Sequence, residues 1–536
     1  MSLAEAILRR VDDGRPVTFL GDQSQEVGRR QLWDEALRAA GGLATLGMGP
    51  GSRICILAGT SRETAAVLVG SWIIGGTTSV LPPPYRVRDL ASYVAASHHR
   101  LAAVGADLVV LGPEYEPFGT ELAAGVRAVT AADHTEHPTR HPGPAKPGPD
   151  DLAIVQFSSG STGEPRPLAL THQAVLANVE SVTERAGFGP HDTFATWLPL
   201  FHDMGLVGTF LVPLATGAAL ATMDTSRFSA QPHRWMRMVS DQQATICCGP
   251  NSAYPLAIRT LQRDEGLDLS QLRIAFNGAE PIQPDVVRDF GRAGAAHGLR
   301  DTAVQCVYGM AEATLAIAFP DVGGLRTFSV DPVELELGNR IVPIPPGADP
   351  GSGRALVGVG SALPRMEIRV GEPGTPDGCV DEISFRGPST YAGTLHGGRL
   401  SRLEAEDGWV STGDVGGVVD GQLVLCGRRK DIVIVGGRNL HPDQVEHAVE
   451  RVDGVRLGNV AAFGVPRHGT EGLVVFAETR APSTALRREI AAAALASVGV
   501  APIDVRLLEP GTLPKTSSGK VRRQVARRSY LEESDG

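Results

Sequence analysis

Apolar and polar positions along this chain follow two rhythms that alternate. Up to about residue 132, Trp33 to Leu46 and Glu63 to Ile74 repeat apolar side chains at helical spacing, while Arg53 to Leu57 and Asp107 to Leu111 are short apolar runs of strand length. Strands alternating with helices predict βα units on a largely parallel sheet. Asp133 to Asp150, broken by five prolines, separates these from a second α/β set over residues 151 to about 330. From about Ala355 to Val424 the runs shorten to period two, as in Met366 to Val370 and Glu382 to Phe385, which predicts a β-rich unit. Beyond Lys430 the alternation restarts, with strands expected at Asp431 to Val435, Asn459 to Val465, Leu473 to Glu478 and Val505 to Leu508, and helices at His441 to Val452 and Ala485 to Ser497. The fold class is therefore α/β: a large N-terminal region, 1–429, of two α/β subdomains plus a β-rich subdomain, and a small α+β C-terminal domain, 430–536.

Composition narrows the setting. The chain of 536 residues, 42% hydrophobic and 21% charged, has ample core for more than one domain. A net charge of −10 argues against general affinity for nucleic acid or anionic lipid, and Arg428-Arg429-Lys430 and Arg522-Arg523 read as solvated basic faces unless a site claims them. The six cysteines (55, 247, 248, 306, 379 and 426) lack C-x-x-C spacing and read as buried thiols of a reducing compartment. Met1 to Arg10 is an amphipathic start and not a signal peptide. The longest apolar run, Ala65 to Gly76, is too short to span a bilayer, so the expected location is cytoplasmic. His134, His137 and His141 invite a zinc reading, but they lie in the proline-broken stretch without a thiolate or clustered acid, and a solvated loop accounts for them better.

The candidate chemistry begins at Leu152 to Phe157, a strand-like run that breaks into Ser158-Ser159-Gly160-Ser161-Thr162-Gly163, followed by Glu164-Pro165-Arg166 and a helix from about Ala174. Glycines let successive backbone N–H groups turn inward, and hydroxyls add donors without bulk. That is the chemistry of a phosphate cradle, and Arg166 can meet the anion. A Ser/Gly linker is the alternative, but a linker does not join a strand to a helix. The spacing is not that of a Walker A loop. Downstream, in order, come Asn277-Gly278-Ala279-Glu280-Pro281, Tyr308-Gly309-Met310-Ala311-Glu312-Ala313-Thr314, Trp409 to Asp414, Gly427-Arg428-Arg429-Lys430-Asp431, Gly436-Gly437-Arg438-Asn439 and Leu513-Pro514-Lys515-Thr516-Ser517-Ser518-Gly519-Lys520. This series resembles the adenylate-forming superfamily. Trp197-Leu198-Pro199-Leu200-Phe201-His202-Asp203-Met204-Gly205-Leu206 and the Ala-Glu-Ala-Thr-Leu at 311–315 are similar to fatty acyl-AMP ligases in particular. One departure is Pro165-Arg166-Pro167, where the superfamily usually has Pro-Lys-Gly. The charge is kept on a bulkier, planar group, and a flexible point is lost.

The resemblance implies ATP-dependent conversion of a carboxylic acid, fatty or bulky and hydrophobic, to acyl-AMP with release of pyrophosphate. It also implies possible transfer to a carrier-protein phosphopantetheine or CoA thiol. Such a reaction brings a carboxylate onto an anionic phosphate, so positive charge and oriented donors are needed where charge concentrates. The resemblance assigns that role to Lys520, delivered by a mobile C-terminal domain that rotates about a hinge at Lys430. It gives the phosphates to Ser158, Ser159, Gly160, Ser161, Thr162, Gly163 and Arg166, and Mg²⁺ to Glu312. Gly278, Ala279, Glu280, Tyr308, Gly309 and Met310 go to the adenine side, and Asp414 and Arg428 to the ribose. His202, Gly436 and Gly437 go to an acyl and thiol channel. A full acyl-CoA synthetase and a non-catalytic nucleotide-binding module are the alternatives. The acid is not encoded linearly; Phe201, Met204, Phe228 and Trp235 are candidates for its pocket.

Overall fold

The computed structural model describes residues 1–84, 90–123, 125–135, 141, 143–148, 150–158, 165–321, 323–331, 335–344, 353–435, 438–467, 470–516 and 519–534. Two large sheets form the body. In one, strands run in the order Val304–Cys306, Ile274–Gly278, Ile246–Pro250, Thr193–Thr196, Ala219–Met223, Val17–Leu20 and Gln25–Val27. In the other, the order is Arg399–Arg402, Gly393–His396, Arg166–Thr171, Leu152–Ser158, Thr77–Val80, Arg53–Leu57, Leu108–Leu111 and Arg127–Thr130. Most neighbours are parallel, as the βα alternation requires.

The two sheets do not divide at the proline-rich stretch, which corrects the expectation from the sequence. Val17–Leu20 pairs with Ala219–Met223, and Leu152–Ser158 pairs with Thr77–Val80, so each sheet draws on both sides of that stretch. Local periodicity reports which strands exist; their neighbours are set by packing between segments far apart in the chain. Helices Arg29–Thr45 and Arg62–Ile73 pack together, and Arg62–Ile73 is buried along nearly its whole length, which explains its unbroken apolar run.

A four-stranded antiparallel sheet, in the order Glu367–Val370, Asp381–Arg386, Val410–Val419 and Gln422–Arg428, forms the expected β-rich unit. Beyond it, Val455–Arg467, Thr470–Thr479 and Asp504–Leu508 make a three-stranded sheet flanked by helices Pro442–Glu450, Thr484–Val498 and Arg523–Ser534. Residues 433–531 enclose two apolar clusters of their own, one around Val445, Val475 and Ile490 and the other around Phe463, Phe476 and Ala526. Polar contacts hold this unit to the body. Arg354 Nη2 donates to Asp443 Oδ2 at 2.6 Å, Gln283 Nε2 donates to Glu450 Oε2 at 3.3 Å, and Arg451 pairs with Asp285. No described helix is long and apolar enough to cross a membrane. All six cysteines are free and buried.

Candidate active site

A cleft of about 1390 Å³ lies where the C-terminal ends of the parallel strands face the small unit. At one side, Tyr308 Oη donates to Asp414 Oδ2 at 2.7 Å, and Arg428 Nε donates to Asp414 Oδ1 at 2.8 Å. Antiparallel register sets Asp414 opposite Arg428, so the pair is built by the strands that carry it. Burial, then the Asp414 charge, pushes the Tyr308 hydroxyl well above its ordinary range and keeps it a donor. Each Asp414 oxygen retains a second lone pair for an incoming hydroxyl. Glu280, just past strand Ile274–Gly278, accepts from Ser252 N at 2.9 Å and Ser252 Oγ at 3.2 Å. Ala279 (φ 66) and Thr314 (φ 71) hold left-handed backbone on either side of the Tyr308 segment, and a Cβ on Gly309 would lie 1.9 Å from Leu315 O. Gly309 therefore lets the segment pass against its neighbour.

At a second side, Ser158 is buried, and its Oγ has no hydrogen-bond partner among the described residues. Beside it, Arg166 Nη2 donates to Glu312 Oε1 at 2.5 Å, with Glu312 presented by a single 3-10 turn, Ala311–Ala313. Ser159 to Gly163 lie outside the described residues, as do Gly436 and Gly437. What precedes and follows the serine-rich segment corrects the expected context. It joins antiparallel strands Leu152–Ser158 and Arg166–Thr171, with Ser158 opposite Arg166, and the helix begins only at His172. Pro167 to Leu170 are apolar enough to make a buried strand before the helix.

At the third side, His202 Nδ1 lies 2.6 Å from Asp203 Oδ1, at the start of a π-helix, Met204–Leu211. Phe201, Met204, Phe276, Cys248, Ile246, Phe194, Phe188 and Phe319 also line the cleft and make its apolar part. Phe188 meets Phe194 and Phe276 edge-on, with centroids 5.1 and 6.2 Å apart. Phe228 and Trp235 do not line it. They stack around Trp197 in the core, Phe228 at 3.5 Å and Trp235 edge-on at 5.8 Å.

Lys520 lines the same cleft, half-buried, on a turn closed by Thr516 N donating to Lys520 O at 2.8 Å and Lys520 N donating to Thr516 Oγ1 at 3.0 Å. Dehydration lowers its ammonium below the ordinary lysine range, and the charges of Asp203, Glu280 and Asp414 oppose that shift. Ser158, Arg166, His202, Ala279, Glu280, Tyr308, Gly309, Met310, Glu312, Asp414, Arg428 and Lys520 thus share one cavity. Gly278 stands behind its wall, where a Cβ would press on Val307, and Lys430 is exposed outside it. The sequence reading omitted Asp203 and Ser252. Asp203 had one signal, its place next to His202 ahead of an apolar run; Ser252 had none.

The fold and this cleft define an adenylate-forming enzyme. Residues 8–395 match the AMP-binding enzyme family, and the chain belongs to it. A Mycobacterium tuberculosis protein described as a ligase, Rv1013, is 36% identical over 517 residues, covering 92% of this chain and 93% of that one. The long-chain-fatty-acid–AMP ligase FadD26 of Mycobacterium marinum is 31% identical over 542 residues, covering 94% and 91%. Among solved structures, one from a study of fatty acyl-adenylate ligases of E. coli and L. pneumophila superposes with a TM-score of 0.91 at 28% identity, covering 100% of this chain and 98% of that one.

Proposed function

We propose that the protein joins a fatty acid to AMP, releasing pyrophosphate from ATP, and then passes the acyl group to a pantetheine-type thiol. One observation carries the reading. A single cleft has a buried carboxylate clamped by Tyr308 and Arg428 at one side, an apolar tunnel at the other, and Lys520 within reach of charges from both. Asp414 and Arg428 bind the ribose hydroxyls. The fatty carboxylate attacks the α-phosphorus, and pyrophosphate leaves. Lys520 offsets the charge of the two anions as they meet, an interaction stronger in the transition state than before it. Arg166 and the Ser158 hydroxyl meet the outer phosphates.

Glu312 fits Mg²⁺: it is a hard carboxylate donor whose Oε1 is held by Arg166, with Oε2 left over, in a wall that also carries the unpaired Ser158 hydroxyl. When bound, the ion supplies neutralising charge to the phosphates. The separate apolar clusters of residues 433–531 support a domain division at 429/430 with Lys430 as its hinge.

The tunnel sets the acid. Strand Ile246–Pro250, which gives Ile246 and Cys248 to the wall, is about 13 Å long, the length of roughly ten methylenes. Saturated acids of about ten to twelve carbons are the expected optimum. ATP–pyrophosphate exchange across saturated acids from eight to eighteen carbons tests the reading. Failure with every acid, alongside intact ATP binding, would make the protein a nucleotide-binding module instead.

A further inference from the structure

We propose that Asp203 and His202 form a proton-accepting pair for the thiol that attacks the acyl adenylate. The inference rests on the proposed transfer step and assigns its base. The backbone around the pair is held from several directions. Gln156 Nε2 donates to Phe201 O at 2.5 Å, His202 N donates to Pro199 O at 3.1 Å, and Leu206 N donates to His202 O at 2.8 Å. Asp203 is buried and caps the π-helix, accepting from Met204 N at 2.6 Å. Met204 N also lies 3.3 Å from His202 Nδ1, but its nearer acceptor is Asp203. His202 Nδ1 and Asp203 Oδ1, 2.6 Å apart, need a proton between them, so the proton is assigned to Nδ1 and Nε2 is the basic nitrogen. Burial pushes the Asp203 carboxyl up, yet its neighbours His202, Lys520 and Met204 N outweigh that and hold it below its ordinary value. His202 is only partly covered and lines the cleft next to Phe201 and Met204, where the polar end of the cavity meets the tunnel.

A primary alkyl thiol is mostly protonated at neutral pH and needs a base to attack a carbonyl. In the step inferred here, His202 Nε2 takes the S–H proton as sulfur bonds to the acyl carbon. The carbon–oxygen bond to phosphate breaks, AMP leaves with that electron pair, and Asp203 stabilises the imidazolium. His202 is the catalytic residue and Asp203 its positioning residue.

The test supplies synthetic dodecanoyl-AMP to the enzyme and follows thioester formation with pantetheine and with trifluoroethanethiol, a more acidic thiol with a far larger thiolate fraction at neutral pH. Each rate is divided by the same preparation's folded fraction, read from the amplitude of its thermal unfolding transition. With pantetheine, His202→Ala and Asp203→Asn should lower this ratio about 100-fold, the usual worth of a positioned base, and the defect should shrink below about fivefold with the acidic thiol. His202→Ala guards against misfolding of the buried Asp203 variant, and added imidazole should restore part of its pantetheine rate. Equal defects with both thiols, an unchanged ratio, or no enzyme-catalysed thioester from the wild type would each overturn the inference. Because acyl-AMP is supplied, these outcomes stand apart from pyrophosphate exchange, whose absence in the wild type would instead overturn the proposed acid activation.

Discussion

Replacing Phe188 by alanine should lengthen the preferred acid. Phe188 is 9% exposed, lines the apolar part of the cleft edge-on to Phe194 and Phe276, and carries the Arg273 guanidinium 5.7 Å from its ring centroid, so it is taken as the inner end of the proposed acid tunnel. Removing the ring opens space for about three methylenes. Each buried methylene is worth about 0.8 kcal/mol, so three give about 2.4 kcal/mol, on the order of 50-fold in kcat/KM. That is an upper bound, because neighbouring side chains relax into part of the space. The assay is pyrophosphate exchange with saturated acids of even chain length, plotted as kcat/KM relative to the ten-carbon acid. The wild type should fall off beyond about twelve carbons, and the variant should peak near fourteen. Loss of a buried phenyl costs about 3–5 kcal/mol of stability, so Phe188→Leu should accompany it and show a smaller shift in the same direction. A profile scaled by one factor at every length, with its peak unmoved, would refute placing the tunnel's end at Phe188.

Lys520→Ala should cut pyrophosphate exchange by 100-fold or more while leaving thioester formation from supplied acyl-AMP largely intact; equal loss in both assays would contradict its assignment to the first half-reaction. Tyr308→Phe deletes the 2.7 Å bond to Asp414 and should raise KM for ATP about tenfold without changing KM for the acid, as read from pyrophosphate-exchange kinetics. Burial lowers His172 and His441 to about 4, so the unfolded chain takes up their protons first and stability falls as pH drops from about 6.5 to about 4. At pH 5 each should cost about 2 kcal/mol, and His441→Leu should flatten its share of the loss in thermal melts between pH 7 and 5.

Strand Arg53–Leu57 is observed with the bounds that periodicity predicts, and other elements differ by a residue or a few at each end, as Thr484–Val498 does from the expected Ala485 to Ser497. Short-range pattern is enough for an element that buries one face wherever it ends up. Sheet membership is different. That Val17–Leu20 lies beside Ala219–Met223 depends on contacts some two hundred positions apart, and no local signal carries them. The site shows the same division. Tyr308, Glu312, Asp414 and Lys520 were legible because each sits in a motif with required glycines or fixed order. Ser252 was not, because it earns its place only by bonding Glu280 across the cleft. Phe228 and Trp235 misled because bulk and apolarity suit a core and a tunnel equally, and only the path of the cavity separates the two.

The pairings in the cleft single out one side chain for the chemistry proposed above. Asp414 is held by Tyr308 and Arg428, Glu312 by Arg166, Glu280 by Ser252 and Asp203 by His202. Each of these carboxylates therefore has its partner before a nucleotide arrives, which for the buried Asp203, Glu312 and Asp414 keeps the cost of dehydration low. Lys520 differs: it makes no ion pair among the described residues, its charge is opposed by dehydration, and the carboxylates that favour it act from a distance. An ammonium in that position is stabilised most by an anion brought directly to it. A fatty carboxylate approaching a phosphate supplies two, and the attraction is greatest as they close, the moment at which their mutual repulsion would otherwise set the barrier.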